Sequence, residues 1–235
     1  MRRPVTILGA GLSGALMAIY LARQGRQVVV YERRPDLRKV DMDAGRSINL
    51  ALADRGIHAL REAGVFEDVK PLLIPMRGRV LHAVDGSLTF AAYGQRPQEV
   101  IYSVSRPGLN RVLLDHAQRR YGIEPRFLQA ARTLDFERDE LVMLDEVSGD
   151  TYTQALAPLI AADGAGSVAR RAMTGQLGVR VIEDMLEHGY KELTLPAAPG
   201  GSHRIDGNAL HIWPRGGFML IALPNVDGSF TVTLF

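Results

Sequence analysis

Residues 5–8 form a continuous apolar run that ends at glycine. Residues 12–24 repeat their apolar positions at helical spacing and close on Gly25, and residues 28–31 are again apolar and rich in β-branched side chains. A short strand, a helix and a second strand in that order predict a βαβ opening. The polar stretch 33–45 predicts a loop. Residues 45–52 are mostly apolar, yet Arg46, Ser47 and Asn49 cluster at their head instead of recurring at a period that would face water. Side chains of that kind need partners, either as the cap of a helix or at a binding site. Asp54 is placed to cap a short helix running to Ala63, with Gly64 at the left-handed stop.

Strand patterns at 80–84 and 88–92 flank Asp85-Gly86, a strong hairpin signal, and 100–104 supplies another strand. Pro107 stands in the first turn of a helix that runs to about Tyr121 and stops at Gly122. Two strand-like segments are expected around Arg138-Asp139 and Ser148-Gly149, and 159–162 reads as a buried strand ahead of a helix at 167–174. The remainder, 190–195, 209–213, 218–223 and 229–235, reads as antiparallel strands joined by Pro, Gly and Asn turns. The last of these alternates and has no closing helix, charge or proline. It is therefore expected to present a bare edge and a route to self-association.

Composition narrows the class. The 235 residues allow one large or two small domains with a substantial core. Lys and Arg exceed Asp and Glu by only two, without a block of like charge, so no general nucleic-acid or membrane surface is indicated. Cysteine is absent, which excludes disulfides, thiolate metal sites and a cysteine nucleophile and fits a reducing compartment. No apolar run approaches the ~20 residues of a membrane helix. Arg2-Arg3-Pro4 leads directly into a strand pattern rather than a signal peptide, and a cytoplasmic protein is expected. The six histidines are scattered, with no pair at helical ligand spacing, so no metal site is expected.

The chemistry starts at Gly9-Ala10-Gly11-Leu12-Ser13-Gly14, between the first strand and the first helix. Gly9 suits a tight turn, Gly11 lets a pyrophosphate approach the backbone, and Gly14 lets the helix pack close to the sheet. The helix N-terminus offers amide donors to that phosphate. Glu32 stands at the end of the next strand, eighteen residues after Gly14, where a carboxylate can accept both hydroxyls of an adenosine ribose. Together they indicate an adenine dinucleotide and leave FAD and NAD both open. An acidic residue at this place disfavours a ribose 2′-phosphate. Arg33 and Arg34 follow it, either as solvated loop cations or at the adenosine end.

Ala162-Asp163-Gly164-Ala165-Gly166-Ser167 follows a predicted strand and precedes a helix, with Arg170 three residues on, and Asp163 could cap that helix. Here the sequence resembles the flavoprotein aromatic hydroxylases, with one departure: Ala161 stands where a glycine is common. The segments 45–52, 75–79, 103–106, 189–194, 211–214, 218–224 and 230–235 look like those of the kynurenine 3-monooxygenases, in the expected order along nearly the whole chain. The resemblance implies an α/β, Rossmann-like FAD-binding domain of the glutathione-reductase and aromatic-hydroxylase type. In this reading residues 1–75 and 98–175 form that discontinuous domain, and 76–97 and 176–235 part of an antiparallel β-sheet substrate region.

It further implies bound FAD, NADPH as co-substrate, molecular oxygen, and L-kynurenine converted to 3-hydroxykynurenine. Gly9, Gly11, Leu12, Ser13, Gly14, Tyr31, Glu32, Arg33, Arg34, Arg46, Asn49, Ala51, Arg106, Ala131 and Asp163 would meet the flavin nucleotide. Arg79 and Tyr93 would hold the amino-acid end of the substrate, a guanidinium suiting a two-point bond to a carboxylate. No side chain is assigned as catalytic acid, base or nucleophile, since the flavin carries the hard chemistry. These hydroxylases also carry a Gly-Asp motif after the substrate sheet, and no Gly-Asp follows Gly164 here. The chain is thus expected to be an N-terminal fragment, truncated with respect to the family fold, with weak or no turnover. Alternatives are a catalytically silent nucleotide-binding module, a flavin hydroxylase acting on another aromatic acid, and an NAD-dependent dehydrogenase.

Overall fold

The computed structural model describes residues 3–40 and 49–235. In chain order its first elements are β1 (Val5–Leu8), α1 (Leu12–Arg23), β2 (Val28–Glu32), β3 (Asn49–Leu52), α2 (Asp54–Ala63), the single turn α3 (Phe66–Val69), β4 (Ile74–Met76), β5 (Gly78–His82), β6 (Leu88–Ala92), β7 (Ile101–Ser105) and α4 (Arg106–Tyr121). Then follow β8 (Arg126–Phe127), β9 (Gln129–Asp135), β10 (Glu140–Asp145), β11 (Thr151–Ala155), β12 (Leu159–Ala161), α5 (Val168–Leu177), β13 (Lys191–Leu195), β14 (Ala209–Arg215), β15 (Phe218–Pro224) and β16 (Phe230–Leu234). The chain divides into two compact units, one of Met1–Asp41 and Asn110–Asp184, the other of Met42–Leu109 and Met185–Phe235. Among the described residues no helix is long and apolar enough to cross a membrane.

In the first unit β1 lies inside a parallel sheet of order β12-β1-β2-β8. All four of its residues are buried, because a parallel strand covered on both faces has no wet side, and its sequence therefore does not alternate. Helix α1 turns Gly14, Ala15, Ala18 and Ile19 inward. A second sheet, antiparallel in the order β11-β10-β9, supplies Leu134, Leu141 and Met143 to a core cluster with Leu8, Tyr31 and Ala169. Two expectations need correction here. Arg138-Asp139 and Ser148-Gly149 are the turns between these three strands rather than strands themselves, with Asp139 and Gly149 left-handed at φ 56° and 79°. The carboxylate of Asp135 accepts the amides of Glu137 and Arg138, and that of Asp145 accepts those of Val147 and Ser148, closing each turn locally. β12 ends its sheet and is half-exposed, not buried.

The loop after β2 is fastened by charge. Asp36 is buried, and its carboxylate accepts Nε and a terminal nitrogen of Arg38 at 2.8 Å each. Arg38 also donates to Asp115 at 3.2 Å and Gln118 at 2.7 Å on α4. The Arg38 hydrogen bond holds the Asp36 carboxyl below its usual range against the opposing effect of burial. A lowered folded-state pKa means stability that is present above the ordinary carboxylate value and lost as pH falls through the lowered one. Asp36→Asn is expected to cost roughly 1–3 kcal/mol at neutral pH. In thermal melts the gap between variant and parent should narrow below about pH 4. A gap that stays constant down to pH 2 would contradict the role of the charge.

In the second unit the six-stranded sheet has the order β13-β16-β15-β14-β5-β6. All its pairs are antiparallel except β14 with β5, where Ala209 stands opposite Gly78 in parallel. The expected bare edge at 229–235 is corrected by this order. β16 has β13 on one side and β15 on the other, and Phe230 is fully buried. Its ladder groups are therefore used, and the argument for self-association through that strand falls away. A smaller antiparallel sheet has the order β3-β7-β4. Ala53, not Asp54, is the N-cap of α2, and Asp54 lies in the first turn without a capping bond. Gly64 ends that helix at φ 74° as expected. Asp85-Gly86 closes the β5–β6 hairpin, with Asp85 accepting from the amide and hydroxyl of Ser87.

Candidate functional site

The glycine turn sits at the carboxyl end of β1, between the ends of β2 and β12. β1 has neighbours on both sides, so this is the point where the strand order reverses, the place where open α/β sheets take their ligands. Gly9 is at φ 94°, its amide donates to the Tyr31 carbonyl at 2.7 Å, and a Cβ there would overlap the Ala162 carbonyl oxygen. A Cβ on Gly14 would overlap the carbonyl oxygen of Gly9. Gly11 differs from both: a Cβ on it would meet nothing within 4 Å. It is the N-cap of α1 and provides no side-chain cap, so the first amides of the helix have no partner within the helix and none from a capping side chain. Open space in front of uncapped amides fits the pyrophosphate of a dinucleotide.

Glu32 ends β2 with its carboxylate turned to this loop. One oxygen accepts the Ala10 amide at 2.8 Å and the other the Arg34 amide at 2.9 Å. An ionised carboxylate has about four acceptor positions, so both oxygens keep capacity for ribose hydroxyls. Arg33, Arg34 and Ser13 are exposed, and Leu12 is half-buried. Asp163 follows β12 and accepts the Val168 amide at 2.7 Å, capping α5 together with Ser167, whose hydroxyl accepts the Arg170 amide at 3.0 Å. Ala162 donates to the Leu8 carbonyl at 2.8 Å, which brings the Asp163 segment against the glycine turn.

Tyr31 and Ala131 are placed elsewhere in this unit. The Tyr31 ring is in the core, its hydroxyl donates to Gln154 at 2.8 Å and accepts from Arg126 at 3.0 Å, and only its carbonyl serves the turn. Ala131 packs against the same core cluster from β9.

The remaining candidates lie in the second unit. Arg46 lies outside the described residues. Asn49 heads β3 and is buried, with its side-chain nitrogen 2.7 Å from the Asn225 side-chain oxygen and 3.1 Å from both the Ser103 hydroxyl and the Pro224 carbonyl. Its side-chain oxygen is buried without a hydrogen-bond partner among the described residues. Ala51 and Arg106 are exposed. Arg79 on β5 and Tyr93, just past β6, are brought together: the guanidinium carbon is 5.2 Å from the ring centroid. Burial raises the Tyr93 phenol pKa, and the hydrogen bond from Arg79 works against that rise.

Two features were not expected from the sequence. His82 and His211 share a 2.8 Å hydrogen bond, and His211 also reaches the Asp206 carbonyl at 2.8 Å. A carbonyl only accepts, so His211 donates to it from Nε2 and meets His82 through Nδ1, and the His82 ring stacks on Trp213. Asn110, on α4, donates to the Ala10 carbonyl at 3.1 Å. Its signal was available: a polar residue stands in a buried face otherwise made of Leu109, Leu113, Leu114 and Ala117.

The chain is 44% identical over 231 residues to a kynurenine 3-monooxygenase of Myxococcus xanthus (strain DK1622), covering 98% of this chain and 50% of that protein. It is 47% identical over 234 residues to one of Xanthomonas axonopodis pv. citri (strain 306), covering 100% and 51%. It therefore spans about half the length of the curated relatives it matches, and the resemblance seen in its motifs is borne out along its whole length. Among solved structures it resembles the flavin-dependent monooxygenase PieE in complex with FAD and substrate, with TM-score 0.77 and 19% identity over 100% of this chain and 42% of that one. It also resembles p-nitrophenol 4-monooxygenase PnpA from Pseudomonas putida DLL-E4, with TM-score 0.76 and 16% identity over 99% and 57%. These likenesses show the same mixed α/β fold. A family model described as FAD binding domain matches residues 2–215. With that match running from the glycine turn through both units, the chain belongs to the FAD binding domain family.

Proposed function

We propose that this chain is the FAD-binding part of an enzyme that hydroxylates L-kynurenine to 3-hydroxykynurenine with NADPH and molecular oxygen. The observation that carries this reading is the Arg79–Tyr93 pair, found on a hairpin within a chain that aligns end to end with kynurenine 3-monooxygenases. Within the first unit, the uncapped amides of α1 and the open face of Gly11 would take the pyrophosphate, and Glu32 the adenosine ribose. Glu32 favours a ribose with its 2′-hydroxyl free, as in FAD, over one carrying a 2′-phosphate. Asp163 would meet the flavin nucleotide from the end of β12, while Arg46, Ala51 and Arg106 are assigned to it by the resemblance alone. The buried Asn49 amide would hold the strand that carries Ala51. Bound FAD would supply the activation of oxygen. The protein's part is to hold the aromatic ring, orient it and keep water away.

Arg79 would bind the substrate carboxylate in a two-point hydrogen bond, and Tyr93 would fix the guanidinium and add a hydroxyl. Because the chain spans half the relatives' length, hydroxylation by this chain alone is expected to be weak or absent, while FAD binding is retained. The test is a flavin absorption spectrum of the purified chain, together with kynurenine-dependent NADPH oxidation by the protein in which the sequence stands. In that protein Arg79→Met is expected to raise KM for kynurenine by roughly 10- to 100-fold with a smaller change in kcat. NADPH oxidation driven by a different aromatic acid and not by kynurenine would overturn the substrate assignment. A chain that takes up no FAD would overturn the cofactor site.

A further inference from the structure

The peptide linking Ala10 to Gly11 is held at its carbonyl by Asn110, at 3.1 Å, and the preceding peptide is held at its Ala10 amide by Glu32, at 2.8 Å. Both Ala10 and Asn110 are buried. In a trans peptide the carbonyl and the following N–H point in opposite directions, so a carbonyl fixed toward Asn110 aims the Gly11 N–H the other way. If that peptide turned over, an oxygen would replace an N–H at the place where a phosphate is to be met.

We propose that Asn110 is a positioning residue for FAD binding: it locks the Ala10–Gly11 peptide with its N–H toward the pyrophosphate and so sets the affinity of the turn. This rests on the reading that the turn holds the pyrophosphate of FAD. The side-chain oxygen of Asn110 is buried without a hydrogen-bond partner among the described residues, a state that normally costs about 1–3 kcal/mol. A leucine would extend the apolar face of α4 without that cost. The asparagine earns its place through its other atom, the nitrogen on the Ala10 carbonyl.

The test compares FAD affinity, read by flavin fluorescence titration, with the unfolding midpoint of the flavin-free chain. Asn110→Leu is expected to change the midpoint little, the loss of the Ala10 carbonyl's partner offsetting the relief of the Asn110 oxygen, while weakening FAD binding about tenfold or more. Asn110→Asp adds a readout that a merely structural role would not move. A protonated carboxylic acid can donate to the Ala10 carbonyl and a carboxylate cannot, so its FAD affinity should recover as pH is lowered toward 5. Glu32, the other titratable group bonded to this turn, is present in the parent as well, so the parent measured over the same range subtracts its effect. Unchanged FAD affinity in Asn110→Leu overturns the proposal. If that variant does not fold, pH-independent FAD binding by Asn110→Asp overturns it equally. A parent chain that does not bind FAD at all sinks the underlying site reading instead.

Discussion

Gly14→Ala is expected to lower the unfolding midpoint by about 10 °C or more, or to leave the chain insoluble. In a free helix alanine is better than glycine by about 1 kcal/mol, so propensity alone predicts the opposite. The space decides it. The new methyl would overlap the carbonyl oxygen of Gly9 and stand 3.3 Å from the Ala162 side chain. The first of these is backbone, and it cannot swing aside like the end of a lysine. Gly9 cannot retreat either, since it is at φ 94° and is itself pressed against the Ala162 backbone. Overpacking a core costs roughly 1–3 kcal/mol when side chains can adjust. A clash between two backbones should exceed that and remove a large share of the ~5–15 kcal/mol that keeps a domain folded. A midpoint within about 2 °C of the parent would mean that α1 can move off the sheet at little cost.

Gly11→Ala, three residues earlier in the same motif, is expected to do the reverse: an unchanged or slightly raised midpoint and FAD binding weakened by roughly 30- to 100-fold. Gly11 is at φ −69° and ψ −175°, a conformation open to any residue, and its Cβ would meet no protein atom within 4 Å. Nothing in the folded chain therefore requires glycine, and restricting the unfolded chain favours alanine slightly. What the methyl would occupy is the approach to the uncapped amides of α1. Calorimetric or fluorescence titration with FAD, set beside thermal melts, separates the two glycines. Full FAD affinity in Gly11→Ala would place the pyrophosphate somewhere other than this face.

The glycine turn, the βαβ unit around it and the β5–β6 hairpin were legible because their determinants are local. Gly9 and Gly86 are left-handed, and the apolar periods change from strand to helix within a few residues. The position of Glu32 beside the turn was legible for the same reason, but that of the Tyr31 ring was not. Consecutive strand residues face opposite sides, so with Glu32 turned to the loop, Tyr31 had to enter the core between the two sheets. The end of the chain was misread as an edge because its partner β13 is distant in sequence, and nothing within 229–235 reports that pairing. Arg138-Asp139 and Ser148-Gly149 were misplaced because the side chains of Asp135 and Asp145, a few residues upstream, make those turns. Asn110 went unread because a single polar residue in an apolar stripe usually has a bland explanation, and only the structure shows the Ala10 carbonyl opposite it.

The parallel pairing of β5 with β14 has a consequence in time. Residues 110–184, the whole later segment of the first unit, are synthesised between those two strands. A ribosome delivers the β5–β6 hairpin early and the strand that must lie beside it only after about a hundred further residues, at a rate of roughly 5–20 per second. For several seconds, then, a nascent chain holds an unpaired sheet margin while the first unit already has all its parts and can close. Order of assembly is in this way written into the interleaving of the two units, and the second is the one exposed to mispairing while it waits.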